Sequence, residues 1–360
     1  MLRDEITASI NPHVRQKTGR QAVAAHLNVA LISIVLCGTL LQLFGMPMAL
    51  NNYGMQVAWL LLPIMLLQPL HWGLIHEAIH SHLLPNRRAD DFCARLLSIT
   101  LGVPFDATRF SHLVHHRFSR HGYDRPDVYD GHGSYAFAWL RYWGRLFGGV
   151  YLGILVSPLI ACAPTSVGQR LMKELIPVNE DGDIKVRQLF ISLVSNPSKR
   201  WRTRRDFGMT VALYGVSAWA YGSWWPMLVG SMFVRGLWHS FADNIAHHGV
   251  GLDEPERARN YTLPRALQFL VINQHLHLTH HLYPSAPWTT LPALRAPENG
   301  AASGNYFRAA FRQVSCIYPC APMTSGNCIQ GVISSRCNFD RRSDLTKNKP
   351  SKQISNECLE

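Results

Sequence analysis

Eight histidines stand in three groups: His76 and His80 in HEAIH, His112, His115 and His116 in HLVHH, and His277, His280 and His281 in HLTHH. Residues three and four apart share a helix face, so each group aims two or three imidazoles toward one point. Imidazole suits zinc, copper, iron and nickel. A closed tetrahedral zinc site takes four ligands, and eight are too many for one such ion. Two adjacent iron ions with several nitrogens each would use them and leave positions open for O2, so a dinuclear iron centre is expected. One HxxxH arises readily by chance; two copies of HxxHH with an HxxxH, each beside a long apolar segment, do not. His13, His26, His71 and His132 stand alone and read as surface, interfacial or packing histidines.

The elements that must position these groups are apolar blocks. The chain has 360 residues, 47% of them hydrophobic, and they are bunched rather than spread. Residues 23–44 and 56–75 are uncharged runs of the length needed to cross a bilayer, and 207–224 and 226–243 form a second pair. Arg235 and His239 interrupt the last of these, and polar groups inside a membrane usually face the protein interior. A cleaved signal peptide is not expected, because the first block follows about twenty polar residues without a clear cleavage site.

The net charge of +12 would suggest nucleic acid in a soluble protein, but here basic residues flank apolar runs. Arg15, Lys17 and Arg20 precede the first block. Arg87, Arg88, Arg95, Arg109, Arg117 and Arg120 follow the second, and Lys199, Arg200, Arg202, Arg204 and Arg205 precede the third. The positive-inside rule makes all three segments cytoplasmic. Two hairpins satisfy this, with turns near Pro47 to Tyr53 and at Gly222 to Pro226. The apolar run 147–163 is assigned to the interface or to a re-entrant segment, because a crossing there would separate HLTHH from the other two groups. The stretch from Phe92 to Phe105 is too short to span. The expected fold is therefore an all-α membrane protein, with four transmembrane helices in two hairpins and a helical cytoplasmic cap holding a histidine-rich di-iron site.

All three groups then meet at one membrane face. Just beyond the fourth block, FADNIAHHG offers Asn244 and His248 at i and i+4, with Asp243 and His247 at the same spacing. The residues alone leave His247 and His248 both open as a further ligand. Ligating histidines usually give their other ring N–H to a carboxylate or carbonyl. Glu77, Asp124, Asp127 and Asp243 are the acidic candidates. Arg235, His239 and Asp243 form a polar stripe read as structural or supporting.

HEAIH, HLVHHRFSRHGYDRPD, AHHG and HLTHHLYPSAPW together resemble the histidine boxes of the membrane fatty acid desaturase family, over most of residues 20–295. The resemblance implies a four-helix membrane fold with a cytosolic cap and a di-iron centre. It also implies O2-dependent attack on an unactivated C–H bond of a fatty acyl or lipid chain. It makes His76, His80, His112, His115, His116, His277, His280 and His281 iron ligands. Many members read EHG where this chain has His247, His248 and Gly249, so the resemblance gives His248 the ligand place. Asn244 resembles a residue that reaches the metal through water. Glu77, Asp127, Asp243 and Asn244 are the supporting residues carried forward.

The chain also departs from the pattern. His247 stands where an acidic residue is usual, and His275 where asparagine is common, as a spare ligand or hydrogen-bonding group. The third box opens with His277 rather than glutamine, and no HPGG haem motif occurs. Electrons are therefore expected from a separate ferredoxin, rubredoxin or cytochrome b5 type protein. Carotenoid or lipid hydroxylases and ketolases share similar boxes and are the nearest competing enzymes. A non-redox zinc hydrolase or receptor is the alternative from another class. Beyond about Arg295 the composition changes: Cys316, Cys320, Cys328, Cys337 and Cys358 fall in the tail, while Cys37, Cys93 and Cys162 lie elsewhere. Their spacings fit no strong zinc pattern, and residues 296–360 are expected to be disordered, or an aberrant end from a shifted reading frame.

Overall fold

The computed structural model describes residues 23–131, 133–176, 178, 181–251, 257–295, 302–315 and 317–319. The expectations for residues 1–22, His132 and the five tail cysteines lie outside the described residues. Among the described residues the chain is all-helical, apart from one two-stranded parallel ladder that pairs Val128–Tyr129 with Tyr318–Pro319.

Two long helical hairpins form the body. The first runs from Ala25 to Ile79 and folds back at Gly54, whose φ of 72° is a conformation that favours glycine. Leu31, Ile32 and Val35 of the outgoing arm pack against Leu70, Leu74, Ile75 and Ala78 of the return arm. The turn was expected near Pro47 to Tyr53, but the helix continues through Pro47. A π-helical turn at Leu41–Gly45 precedes it, relaxing the hydrogen-bond ladder where proline lacks its N–H. The second hairpin joins Pro197–Tyr221 to Trp225–Ile245 through Gly222, at φ 53°. Leu43, Met46 and Leu50 of the first hairpin pack with Tyr221 and Leu228 of the second.

Among the described residues two helical runs, Ala25–Ile79 and Tyr135–Cys162, are long and apolar enough to cross a membrane. The second is not continuous. Phe147 (φ −93°, ψ 53°) and Gly148 (φ 108°, ψ −14°) break it. Each piece is then about 18–21 Å long at 1.5 Å per residue, shorter than the roughly 30 Å bilayer core.

A buried polar knot ties the hairpins together. Arg235 donates from Nε to Gln68 Oε1 at 2.8 Å and from its terminal nitrogens to Gln42 Oε1 at 2.9 Å and His71 Nδ1 at 2.8 Å. The Gln42 amide donates to Ser231 Oγ at 2.8 Å, and Tyr221 OH donates to the Gln42 carbonyl at 2.6 Å.

A helical cap closes one end of this body. Arg87–Leu101 starts on Asn86, whose side chain accepts from the Arg88 and Ala89 N–H groups, and it stops at Gly102 with φ 85°. Phe105–Phe118, Thr165–Leu175 and Asp181–Ser195 then pack together through Phe110, Val114, Phe118, Met172, Val186 and Val194.

The expectation for the segment after Arg295 is corrected for its described part. Tyr306–Ser315 is a helix whose Gln313 is fully buried. Ile317 is buried against Tyr142 and Leu146, and the Tyr318 N–H donates to the Asp127 carbonyl at 2.7 Å. Ile317, Val314 and the buried Gln313 are the contacts that dock this part of the segment.

Candidate metal centre

Each histidine box sits on or at the end of a helix. HEAIH closes Gln68–Ile79, with His80 as its C-cap; HLVHH occupies the last two turns of Phe105–Phe118; HLTHH makes the short helix His277–Leu282. Helical spacing turns the rings of each box to one side, and the packing of the three helices brings the boxes together.

The imidazoles form two sets. His76, His80, His112, His116 and His280 make the first; His115, His247, His277 and His281 make the second. Within each set the potential ligand nitrogens all lie within 4.8 Å of one another. In the first, Nε2 to Nε2 distances are 3.1 Å for His80 and His112, 2.9 Å for His112 and His116, and 3.0 Å for His116 and His280. In the second they are 3.1 Å for His115 and His247, 3.0 Å for His247 and His277, and 3.2 Å for His277 and His281. The sets abut, with the His116 and His281 ring centroids 4.4 Å apart.

These spacings fit metal ions. Two nitrogens about 2.1 Å from one ion stand about 3.0 Å apart at a right angle and about 3.4 Å apart at the tetrahedral angle. The observed values lie at the right-angle end, as for an ion with more than four coordination positions. Five nitrogens in the first set also exceed the four of a closed zinc site. His76 Nε2 is buried without a hydrogen-bond partner, as expected of a lone pair kept for a cation.

Burial first, and the neighbouring imidazoles second, push His80, His112, His116, His277, His280 and His281 well below the ordinary imidazole range. His247 falls to about 4, chiefly through burial and then through His115. His115 is raised: burial lowers it, but the adjacent Asp124 carboxylate outweighs that. Asp124 in turn is held low, His115 outweighing its desolvation. The seven lowered rings are thus neutral near neutral pH, and His115 is made more basic by a carboxylate.

The partners on the far side of the rings select the ligating nitrogen. His115 Nδ1 lies 2.5 Å from Asp124 Oδ2, and His247 Nδ1 lies 2.7 Å from the Arg257 carbonyl. Each therefore carries its proton on Nδ1 and turns a bare Nε2 to its set. His76 Nδ1 lies 3.0 Å from the Gln274 amide, which serves it in the same way once the amide oxygen faces the ring.

Several expected residues stand elsewhere. His248 belongs to neither set; its ring stacks on Tyr142 and lies 5.3 Å from Tyr318, and His247 takes the place expected of it. Among the described residues Asp127 touches no imidazole. It pairs with Arg120 and accepts the Gly249 N–H at 2.9 Å, while Arg120 also donates to the Val250 carbonyl. This clamp fixes the turn that carries His247. Gly249, at φ 65°, presses so closely on the Tyr318 ring that a Cβ would stand 2.6 Å from its hydroxyl. Asn244 does not face the sets: its amide donates to Tyr142 OH and Gln313 Oε1, and its carbonyl accepts from the His247 and His248 N–H groups. Asp243 lies 3.9 Å from Arg145 and contacts no imidazole nitrogen, and His275 is buried outside both sets. Glu77 accepts the Trp288 N–H at 3.1 Å and lies 3.8 Å from His76 Nδ1, holding the first box to the segment after the third.

Arg120, Gln274 and Gln313 escaped sequence reasoning. Only Arg120 had a signal, lying inside HLVHHRFSRHGYDRPD.

A cavity of about 590 Å³ opens against the sets. His76, His112, His115, His247 and His277 form part of its wall, with Trp72, Gly153, Ile154 and Trp238 on its apolar side. The size and mixed lining suit a small-molecule or chain-like ligand.

A search of curated proteins returns no match to this chain. The model of the fatty acid desaturase family matches residues 51–310, which contain all three boxes, the His247 turn and both hairpin turns. That span exceeds two thirds of the sequence, and the chain belongs to the fatty acid desaturase family.

Proposed function

We propose that this chain is an integral membrane di-iron oxidoreductase that uses O2 and external electrons to desaturate the acyl chain of a fatty acid or lipid. The observation that carries the reading is the gathering of nine imidazoles into a set of five and a set of four beside an apolar cavity. Family membership supports an oxidoreductase acting on lipid.

His76, His80, His112, His116 and His280 would hold one iron, and His115, His247, His277 and His281 the other. Iron bound there supplies the redox chemistry, in which O2, two electrons and two protons take up two hydrogens from adjacent carbons, leaving a double bond and two waters. The chain's own residues do the positioning. Asp124 and the Arg257 carbonyl hold Nδ1 protons and keep Nε2 free on His115 and His247. Trp72, Gly153 and Ile154 shape a dry channel that lays a methylene chain along the histidine wall.

Both hairpins cross the membrane in this reading, and Tyr135–Cys162 lies along it, broken at Phe147–Gly148. The basic face that includes Arg87, Arg88 and Arg117 is then cytoplasmic, with the active site, and receives a separate donor such as a ferredoxin, rubredoxin or cytochrome b5.

The test is metal analysis of the purified chain together with lipid profiling of a host that expresses it, with and without His280→Ala. About two irons per chain and new unsaturated acyl chains, both lost or reduced in the variant, support the reading. A single zinc with no need for reductant would overturn it, and oxygenated carotenoids in place of new double bonds would favour a hydroxylase or ketolase.

A further inference from the structure

The cavity wall carries polar groups apart from the two histidine sets. Gln68, Trp72 and His76 share one helix face at i, i+4 and i+8, so Gln68 lies about 12 Å along the axis from His76, away from the histidine sets. His239 packs edge-on against Trp72, with ring centroids 4.3 Å apart. Gln68, Trp72 and His239 all line the cavity. Gln68 is 1% exposed and His239 3% exposed, yet among the described residues neither Gln68 Nε2 nor His239 Nε2 has a hydrogen-bond partner. Buried polar atoms are nearly always paired, so two orphans flanking Trp72 on the cavity wall, neither of them in a histidine set, point to a ligand group that reaches them.

The orientation of Gln68 is forced. The Arg235 guanidinium has donors only, and its Nε–H bonds Gln68 Oε1. The amide must therefore turn its oxygen to Arg235 and its NH2 away. Arg235 is otherwise bonded to Gln42 and His71, and among the described residues no carboxylate pairs with it. Its positive charge polarises the Gln68 amide and strengthens the NH2 as a donor. That donor calls for an electron-rich acceptor rather than a cation or another donor.

We propose that this part of the cavity wall, around Trp72, is a subsite for a hydrogen-bond acceptor carried within the tail of the substrate, either a double bond already present or an oxygen substituent, held by Gln68 Nε2 and His239 Nε2. The inference rests on the acyl-chain reading above and narrows its substrate class. A saturated tail leaves both nitrogens unpaired, whereas a tail with an acceptor at the right carbon pairs at least one.

The test uses the full chain in detergent, loaded with a fluorescent polyene fatty acid as probe. The probe is displaced by stearic acid, by octadecenoic acids with the double bond moved along the chain, and by hydroxystearic acids with the hydroxyl moved likewise. One carbon position should displace the probe at a concentration about fivefold to tenfold below that of stearic acid, the worth of one net hydrogen bond. The series that peaks identifies the acceptor. Gln68→Glu keeps an oxygen on Arg235 and removes the donor; His239→Phe keeps a ring against Trp72 and removes both nitrogens. The preference should fall toward unity in each variant, with iron per chain as in the wild type. Equal displacement by every competitor in the wild type would overturn the proposal, as would a preference kept in both variants. Iron content and new unsaturated lipids, measured on the same chain, report separately on the desaturase reading.

Discussion

The sharpest consequence of the metal-centre geometry concerns two adjacent histidines. His247 Nε2 lies 3.1 Å from His115 Nε2 and 3.0 Å from His277 Nε2, so it is one of only four nitrogens in the second set. His247→Ala removes a quarter of that donor set and leaves the five of the first untouched. Loss of an outer partner of a ligand already costs about 10–100-fold in metal affinity, so loss of the ligand should cost at least about 100-fold, or roughly 2.7 kcal/mol. Iron should fall from about two per chain toward one. His248→Phe instead keeps an aromatic ring beside Tyr142 and Tyr318 and should retain both irons. The assay is iron by mass spectrometry against protein by amino-acid analysis, with thermal melting in detergent to confirm that each variant folds. If His248→Phe loses iron while His247→Ala keeps two, the assignment fails.

Asp124→Asn, which weakens the acceptor on His115 Nδ1, should lower iron affinity about 10–100-fold, read by chelator competition. Gly249→Ala combines a φ of 65° with a clash against Tyr318; a fall in melting temperature and faster loss of iron should accompany it, and an unchanged melt would refute the close approach. Arg235→Lys replaces a fork that reaches Gln42, Gln68 and His71 with a point charge, so a loss of about 3 kcal/mol or more is expected in detergent unfolding. For acid stability, burial raises Asp106, but the Arg202 hydrogen bonds and the Arg95 charge outweigh it and hold the carboxyl below its ordinary value. A depressed folded value means stability that is present above about pH 3.9 and lost as pH falls through the folded value. Asp106→Asn should therefore melt lower than the wild type at pH 6, with the gap closing toward pH 3.

What could be read from the sequence follows where helices persist. HLVHH lies within Phe105–Phe118, so spacing alone predicts that His112, His115 and His116 face inward, although not that His115 serves one set while its neighbours serve the other. The helix pairs themselves were legible from apolar runs that alternate with basic segments, although of the two only Ala25–Ile79 is long and apolar enough to cross a membrane. His247 was not separable from His248, because Trp225–Ile245 ends two residues earlier and periodicity no longer gives direction. There the choice belongs to tertiary partners: Asp127 on the Gly249 N–H and Arg120 on the Val250 carbonyl, both more than 120 residues away in the chain. Asp124 and Asp127 differ in the same way. Both lie in GYDRPD, but the 3₁₀ turn Gly122–Asp124 delivers the first to His115, while the second is taken by Arg120. The boundary at Arg295 fails only for the described residues 302–315 and 317–319, because composition averages over residues and cannot weigh one. Gln313 accepts from Asn244 at 3.3 Å, donates to the Phe241 carbonyl at 2.9 Å and offers its own carbonyl to Tyr142. Asn244 in turn supplies the carbonyl that caps the His247 turn. The helix Tyr306–Ser315 is thus one hydrogen bond removed from the residue that holds His247, and a change at Gln313 should be felt at the second set before the first.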